Sequence, residues 1–485
     1  MKKIEQILID VDTIQVIGRL DFIVYDISKN SNEIKSNFLF IAIEGNKYDG
    51  HNYINNAIEH GASSIICEKL PEILLEGITY VKVKSSRKSY AKICCNFFGN
   101  PSKKLKLIGV TGTNGKTTTV SLCHELMLFM GYKSGLISTN TIKINNKNYK
   151  TDLTTPDSYD TNMYLRKMVE LDVNFCFMEV SSHSIHQERI DSLEFFISVF
   201  TNITHDHLNY HGDFKTYLNT KKRLFDNLKN NQKSLVNIDD KNGMYMIQNT
   251  VSETYTMSMK KPADFKLLVI ENSFDGMTLK LDNKEIQTSL IGNFNAYNIL
   301  SVASIAKLLE LNEKNIHKNL TLLQPPNGRF EIIRNERVTA IVDYAHTPDA
   351  LLNVLNTINN ININKSKVIT VIGCGGGRDK NKRKKMGLIA MNNSSFSVFT
   401  SDNPRNENPE NIIEDMISGI EKIELKKVMI EIDREKAIKL ALSMLDEKCI
   451  VLIAGKGHEN YQIIKSKKIE FNDVHVVKKS LKIAV

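Results

Sequence analysis

The sequence predicts an α/β protein of three domains organised around parallel sheets, and three observations predict it. Short β-rich runs alternate with longer stretches of helical periodicity. The 485 residues suffice for two to four domains at roughly 100 to 200 residues each. Two Pro and Gly clusters, Asn100-Pro101-Ser102 and Gln324-Pro325-Pro326-Asn327-Gly328, interrupt helix and strand alike. They divide the chain near 1–102, 103–327 and 328–485.

In the middle block the expected strands are Leu107 to Val110, Phe175 to Val180 and Phe196 to Asn202. The last block repeats the design with Ala340 to Asp343, Val368 to Gly373, Phe396 to Ser401 and Ile450 to Ala454, each followed by Gly, polar or charged residues. Ligands of such sheets bind just beyond the strand C-termini, so those polar tails are where chemistry is expected. Two Asn-rich segments, Ile142 to Lys150 and Ile358 to Lys365, read as surface turns.

Composition narrows the function classes. With 41% hydrophobic and 25% charged residues the chain can bury several cores. Its formal charge of +9 is spread along the length, which fits an anionic small substrate and does not call for nucleic acid. The seven cysteines form no C-x-x-C pair and no zinc spacing, so they read as core thiols. The N-terminus lacks the apolar core of a signal peptide and no run of about 18 apolar residues occurs, so the expectation is a cytoplasmic protein without a membrane partner.

The expected strand from Leu107 runs into Thr111-Gly112-Thr113-Asn114-Gly115-Lys116-Thr117-Thr118-Thr119, after which an apolar helical pattern continues to Met130. Glycines let successive backbone N–H groups turn toward one anion, and the helix N-terminus adds positive potential. Lys116 is placed for the β and γ phosphates of ATP and Thr117 for magnesium. Glu179 ends the next strand, and His205-Asp206-His207 follows the one after, so both tips face this loop. A carboxylate and an imidazole there suit magnesium bridging ATP to an acceptor. The rival is a zinc site built from His183, His205, His207 and His211.

These motifs bring the chain close to a known family. It resembles the Mur ligases in Gly45 to Tyr53 (GNKYDGHNY), TGTNGKTTT, Thr154-Thr155-Pro156-Asp157, EVSSH from Glu179, HDHLNYHG from His205, Gly292 to Asn298 (GNFNAYN), Gly328-Arg329-Phe330-Glu331, Asp343 to Asp349 (DYAHTPD), GCGGGRDKNKR from Gly373 and Gly455 to Glu459 (GKGHE). The resemblance implies an N-terminal domain for the UDP end of the substrate, a central ATP-binding domain of the phosphate-loop type and a C-terminal Rossmann-like domain for an incoming amino acid. The expected reaction joins an amino acid to UDP-N-acetylmuramoyl-L-alanyl-D-glutamate in peptidoglycan precursor synthesis, with ATP and Mg2+, as a monomer.

The resemblance also distributes roles. Gly112, Thr113, Asn114, Gly115, Lys116, Thr117 and Thr118, with Asn298, Arg329, Asp343 and His346, resemble the nucleotide site. Lys116, Glu179, His207 and Lys221 resemble the catalytic set, in which Lys221 rather than the adjoining Lys222 is the carbamylated lysine that holds metal together with Thr117, Glu179 and His207. Ser31 looks like the uridine-side serine, and Thr154, Thr155, Ser181, Gln187 and Arg189 look like contacts to the muramyl peptide. One departure stands out, since the usual Asp-Ser-Arg of the first domain reads Asn30-Ser31-Asn32.

Asp402-Asn403-Pro404-Arg405 resembles the signature of members that add meso-2,6-diaminopimelate, with Arg378, Gly455 and Glu459 as further contacts; the alternative is a relative that adds L-lysine. Meso-diaminopimelate is lysine with a second carboxylate, which the Arg405 guanidinium can hold bidentately with support from Asn403. A charge-assisted bond of about 1.5 to 3 kcal/mol would discriminate roughly 10- to 150-fold against lysine. The basic run Arg378 to Arg383 is expected at a glycine-rich strand exit facing ATP and substrate.

Overall fold

The computed structural model of the protein describes residues 1–45, 48–151, 153–444 and 449–483, so Asn46 and Lys47 of the Gly45 to Tyr53 stretch lie outside the described residues. Three main α/β sheets follow one another along the chain. The first runs Thr13–Ile17, Thr79–Val83, Ala62–Cys67, Phe38–Ile41, Asp26–Ser28, parallel except for its first member. Helix Ser86–Phe97 covers one face, burying Tyr90, Ile93 and Cys94 against Ile66 and Val81.

The central sheet has eleven strands among the described residues. Its heart is the parallel series Ser134–Ser138, Phe175–Glu179, Lys106–Thr111, Ile197–Phe200, Lys233–Asn237. The third sheet places Val338–Asp343, Cys449–Ala454, Lys367–Ile372, Phe396–Phe399 and Val428–Ile430 side by side and parallel, with Glu331–Arg334 antiparallel at its edge. Each apolar run read as a strand lies on one. The run from Phe196 is shorter than expected, because Thr201 and Asn202 leave the sheet to bond the phosphate loop.

The two Asn-rich segments are not the turns expected of them. Thr141–Ile144 and Lys147–Lys150 form a hairpin on the edge of the central sheet, with only the Asn145-Asn146 step as turn. Ile142 and Ile144 alternate inward and are buried, a period-2 signal that the asparagines obscured. Likewise Ile358 and Ile361 are core residues in the last turn of helix Pro348–Ile361, and the turn begins only afterwards. All seven cysteines are buried free thiols, and no helix among the described residues is long and apolar enough to cross a membrane.

Helix Lys116–Phe129, which carries the phosphate loop, is held by apolar packing of Val120, Leu126 and Met127 with Ala296, Ile299 and Leu300 of helix Asn293–Leu308. Within it His124 is buried and shares a 2.9 Å hydrogen bond with Ser134 Oγ. Burial, aided by the Lys143 cation, pushes its imidazole from 6.5 down to about 4. An unfolded imidazole takes up a proton near 6.5 while the folded one resists, so stability falls as pH drops from about 6.5 to about 4. We expect His124 to account for about 2 kcal/mol of stability lost between pH 8 and pH 5. Urea titrations of the wild type and His124→Gln at both pH values check this, the variant showing the smaller difference.

Candidate active site

The C-terminal edges of the second and third sheets face one another across a cavity of about 1340 Å³. Every site residue named from the sequence lines it except Ser31, Pro404 and two histidines of the zinc alternative, His205 and His211. Ser31 is buried in the short turn Ser31–Glu33, where its carbonyl accepts from His60 Nδ1 at 2.9 Å. The Pro404 carbonyl accepts from Glu407 N, which makes Pro404 a support for the loop rather than part of its wall.

The phosphate loop is built by close backbone approach. A Cβ on Gly112 would lie 2.0 Å from Thr201 Oγ1, and Gly115 starts the helix at φ +86°. Asn202 clamps the loop from the neighbouring strand exit: its Oδ1 accepts from Asn114 N at 2.9 Å and its carbonyl from Thr113 N at 2.8 Å. Lys116 Nζ donates to the carbonyls of Gly112 and Thr113 at 2.9 and 2.8 Å. Enclosure lowers the Lys116 pKa, opposed by Glu179 and Asp206.

Three groups from the third sheet's side complete this end. Arg329 Nη2 donates to Thr117 Oγ1 at 3.2 Å and its guanidinium lies 4.4 Å from the Tyr344 ring centre, while its Nε is buried without a partner. Asp343 accepts from Phe330 N and Ala345 N, and burial raises its carboxyl despite Arg329. His346 donates to the Tyr344 carbonyl and is held near 4 by burial and the Lys382 cation. Asn298 Oδ1 accepts from Thr119 Oγ1 at 3.3 Å.

Glu179 is buried, and its hydrogen bonds from Ser138 Oγ, Thr139 N and Thr139 Oγ1 all fall on Oε1. Its second oxygen, Oε2, takes none of these three bonds. His207 adopts φ +54° and lies 3.2 Å from Asp206; burial, with the nearby His183 and Lys116, lowers its imidazole to about 3. The four histidines of the zinc alternative do not converge. His183 stacks with His207, Tyr210 and His211, His211 bonds Ser182 Oγ, and His205 faces Asp379 at 3.6 Å. Among the described residues no group of three His, Cys, Asp or Glu is placed to hold a metal.

Adjacent lysines of helix Phe214–Asp226 point in different directions. Lys221 is buried with Nζ 2.8 Å from the Gly112 carbonyl, and burial beside Lys116 holds its amine well below the usual lysine range. Lys222 instead pairs with Asp226. Thr155 Oγ1 donates to the Glu179 carbonyl at 2.7 Å and accepts from Ser181 N at 3.1 Å, and Arg189 donates to the Thr155 carbonyl. Thr154 Oγ1 lies 3.2 Å from Thr139 Oγ1, and Gln187 donates to Tyr210 OH.

Across the cavity, Arg405 takes φ +52° and donates through Nη1 to the Gly376 carbonyl at 2.8 Å. Its backbone bonds Ile463 and Lys465, so the hairpin Tyr461–Ile464 and Lys467–Glu470 braces it. Asn403 is committed within the protein: Nδ2 donates to Glu459 at 2.9 Å, and Oδ1 accepts from Lys456 Nζ and Ile463 N. A Cβ on Gly455 would lie 3.0 Å from Asp402 Oδ2. The basic run splits. Arg378 and Lys382 line the cavity, but Arg383 is buried against Glu407 and Asp415, because helical periodicity from Asn381 turns it inward.

Several contributors escaped sequence reading. Lys456, fully buried, links Asn403 to Glu459, and a lysine inside a Gly-rich motif gives no signal of that. Deeper, Arg434 and Asp473 form a fully buried bidentate pair, and Arg434 also donates to the carbonyls of Ser401 and Ala454. Those carbonyls immediately precede Asp402 and Gly455, so one guanidinium joins the two strand exits. Gly328 and Gly457 touch: a Cβ on Gly328 would lie 2.1 Å from His458 N, and one on Gly457 2.5 Å from the Gly328 carbonyl.

Three successive α/β units with a phosphate loop at their meeting point define a modular nucleotide-dependent ligase architecture. Residues 24–97 match the description "Mur ligase family, catalytic domain", residues 110–306 "Mur ligase middle domain" and residues 328–457 "Mur ligase, glutamate ligase domain". The chain belongs to the Mur ligase family. It is 45% identical over 484 residues, 100% of both chains, to the UDP-N-acetylmuramoyl-L-alanyl-D-glutamate--2,6-diaminopimelate ligase of Bacteroides fragilis. The enzyme of the same name from Cytophaga hutchinsonii is 45% identical over 99% of both chains. A solved structure of a ligase of that name superposes with a TM-score of 0.68 at 28% identity, covering 97% of each chain.

The Arg434 pair sets a test. Asp473→Asn leaves a buried guanidinium without its counter-charge and is expected to cost about 3 to 5 kcal/mol in urea unfolding. The double variant Arg434→Met, Asp473→Leu is expected to recover most of that loss.

Proposed function

We propose that this protein is an ATP-dependent amide ligase that joins meso-2,6-diaminopimelate to UDP-N-acetylmuramoyl-L-alanyl-D-glutamate through an acyl phosphate, in cytoplasmic synthesis of the peptidoglycan precursor. The observation that carries the reading is one cavity shared by the phosphate loop, Lys221 and Arg405. The names of the relatives at 45% identity support the substrates. In this reading residues 1–102 serve the UDP end, 103–327 the nucleotide and 328–485 the amino acid.

The γ-phosphoryl group of ATP passes to the free carboxylate of the acceptor. Lys116 and the loop N–H groups offset the charge that spreads over the transferring oxygens, and Arg329 reaches the same end through Thr117. The donor set fits a magnesium ion: Glu179 through Oε2, the neutral imidazole of His207, the Thr117 hydroxyl and Lys221 as a carbamate would hold it, and the ion would neutralise phosphate charge. Lys221 suits that modification because burial favours its uncharged amine, the form that adds CO2 and loses a proton. Arg405 and Arg378 hold the distal carboxylate of diaminopimelate, while Asp402 and Glu459 supply anions for an ammonium group. The uncharged amine at the other end attacks the acyl carbon, phosphate departs, and the amide forms after loss of a proton.

Phosphate release with Mg-ATP and the UDP-muramyl dipeptide, compared across meso-diaminopimelate, L-lysine and no amino acid, tests the reading. Stimulation by diaminopimelate is the expected result, and indifference to every amino acid would overturn it. Arg405→Ala is expected to raise KM for diaminopimelate at least about tenfold and spare that for ATP. Equal damage to both parameters would remove Arg405 from recognition. Lys221→Ala is expected to abolish turnover, with partial recovery when short carboxylic acids are added.

A further inference from the structure

Lys456 stands between Gly455 and Gly457 just past strand Cys449–Ala454, and its side chain is wholly buried. Its Nζ donates to Glu459 Oε2 at 2.8 Å and to Asn403 Oδ1 at 3.2 Å. An ammonium sealed from water loses its hydration, and a buried ion pair seldom stabilises a fold more than apolar residues of the same volume would. Stability is therefore a weak reason for a lysine here, and the groups it touches supply a stronger one.

Asn403 Oδ1 takes two obligate donors, Lys456 Nζ and Ile463 N, which fixes the orientation of the amide and turns Nδ2 toward Glu459. The side-chain bonds from Asn403 Nδ2 and Lys456 Nζ both fall on Glu459 Oε2, and Oε1 takes neither. Glu459 lines the cavity with a side chain 14% exposed, so a carboxylate pinned through one oxygen stands in the wall. The two residues depend on Lys456 unequally. Asn403 is also held by Ile463 N and, through its carbonyl, by Gly376 N, whereas Lys456 is the one cation that hydrogen-bonds the Glu459 carboxylate among the described residues. Arg434 lies within electrostatic reach of Glu459 and Asp402, but its own hydrogen bonds go to Asp473 and to the carbonyls of Ser401 and Ala454.

We infer that Lys456 is a positioning residue for amine recognition: it fixes Glu459 through Oε2, so that the carboxylate is presented to the distal ammonium of the amino-acid substrate. The inference rests on the ligase reading above, in which Glu459 faces that ammonium while Arg405 and Arg378 hold the distal carboxylate. Lys456 acts only through Glu459, so its removal matters where a distal ammonium is there to be bound.

The test compares meso-diaminopimelate with 2-aminopimelate, which keeps the attacking amine and the distal carboxylate but lacks the distal ammonium. Lys456→Met, uncharged and of similar length, is expected to lower kcat/KM about tenfold on diaminopimelate, as loss of one charge-assisted contact predicts, and less than about twofold on 2-aminopimelate. Glu459→Gln should lose the same preference, and Lys456→Met added to Glu459→Gln should cost little more, because both act through one contact. That cycle is read on diaminopimelate alone and so stands whatever the rate on 2-aminopimelate. Equal losses on the two amino acids, or losses that multiply in the double variant, would overturn the inference and leave Lys456 a support for the loop. A wild type indifferent to diaminopimelate would instead overturn the ligase reading, and this inference with it.

Discussion

A parallel sheet delivers all its strand ends to one edge, and the chemistry of this protein depends on that constraint. In the central sheet, neighbouring exits carry Thr139, Glu179, Gly112 and Asn202; in the third they carry Asp343, Gly455, Gly373 and Asp402. Residues hundreds of positions apart become neighbours because their strands are hydrogen-bonded side by side. Setting the two edges face to face places the phosphate loop opposite Asp402 and Arg405 across one cavity. Direct bonds between the loops, Asn114 to Asp349 and Arg329 to Thr117, keep them in register.

The second organising feature is the crowding of two lysine side chains onto one backbone oxygen. Lys116 and Lys221 both donate to the Gly112 carbonyl under a glycine-rich turn. Burial lowers both amines, and the neighbouring Lys116 lowers that of Lys221 further. The opposite wall alternates signs, with Arg378 and Arg405 beside Asp402 and Glu459, an arrangement that complements a zwitterion. A mild net charge over the whole chain therefore coexists with strong, opposite local demands at the two ends of one cavity.

Much of this was legible in the sequence because glycine-rich strand exits announce themselves. The phosphate loop, the run into Asp402 and the GKGHE stretch each pair an apolar run with residues that only close backbone approach explains. What stayed hidden acts through partners distant in the chain. Arg434 and Asp473 read as ordinary surface charges until the fold buries both. Lys29 is one lysine among many until the cavity shows it, alone of residues 1–102 among the described residues, on its wall. The hairpin at Thr141–Lys150 was masked for another reason: asparagine's preference for turns outweighed a two-isoleucine alternation too short to register as a strand.

The contact between Gly328 and Gly457 bears on how such a protein can be inherited in pieces. Gly328 stands where the chain enters the third sheet, and Gly457 just past Cys449–Ala454, the strand beside Val338–Asp343 near the sheet's middle. A side chain at either glycine would meet the backbone of the other loop, so no change at one makes room at the other. A hybrid chain joined between these two points would have to rebuild that backbone contact from two sources, whereas one joined before Gly328 would carry both loops in one piece.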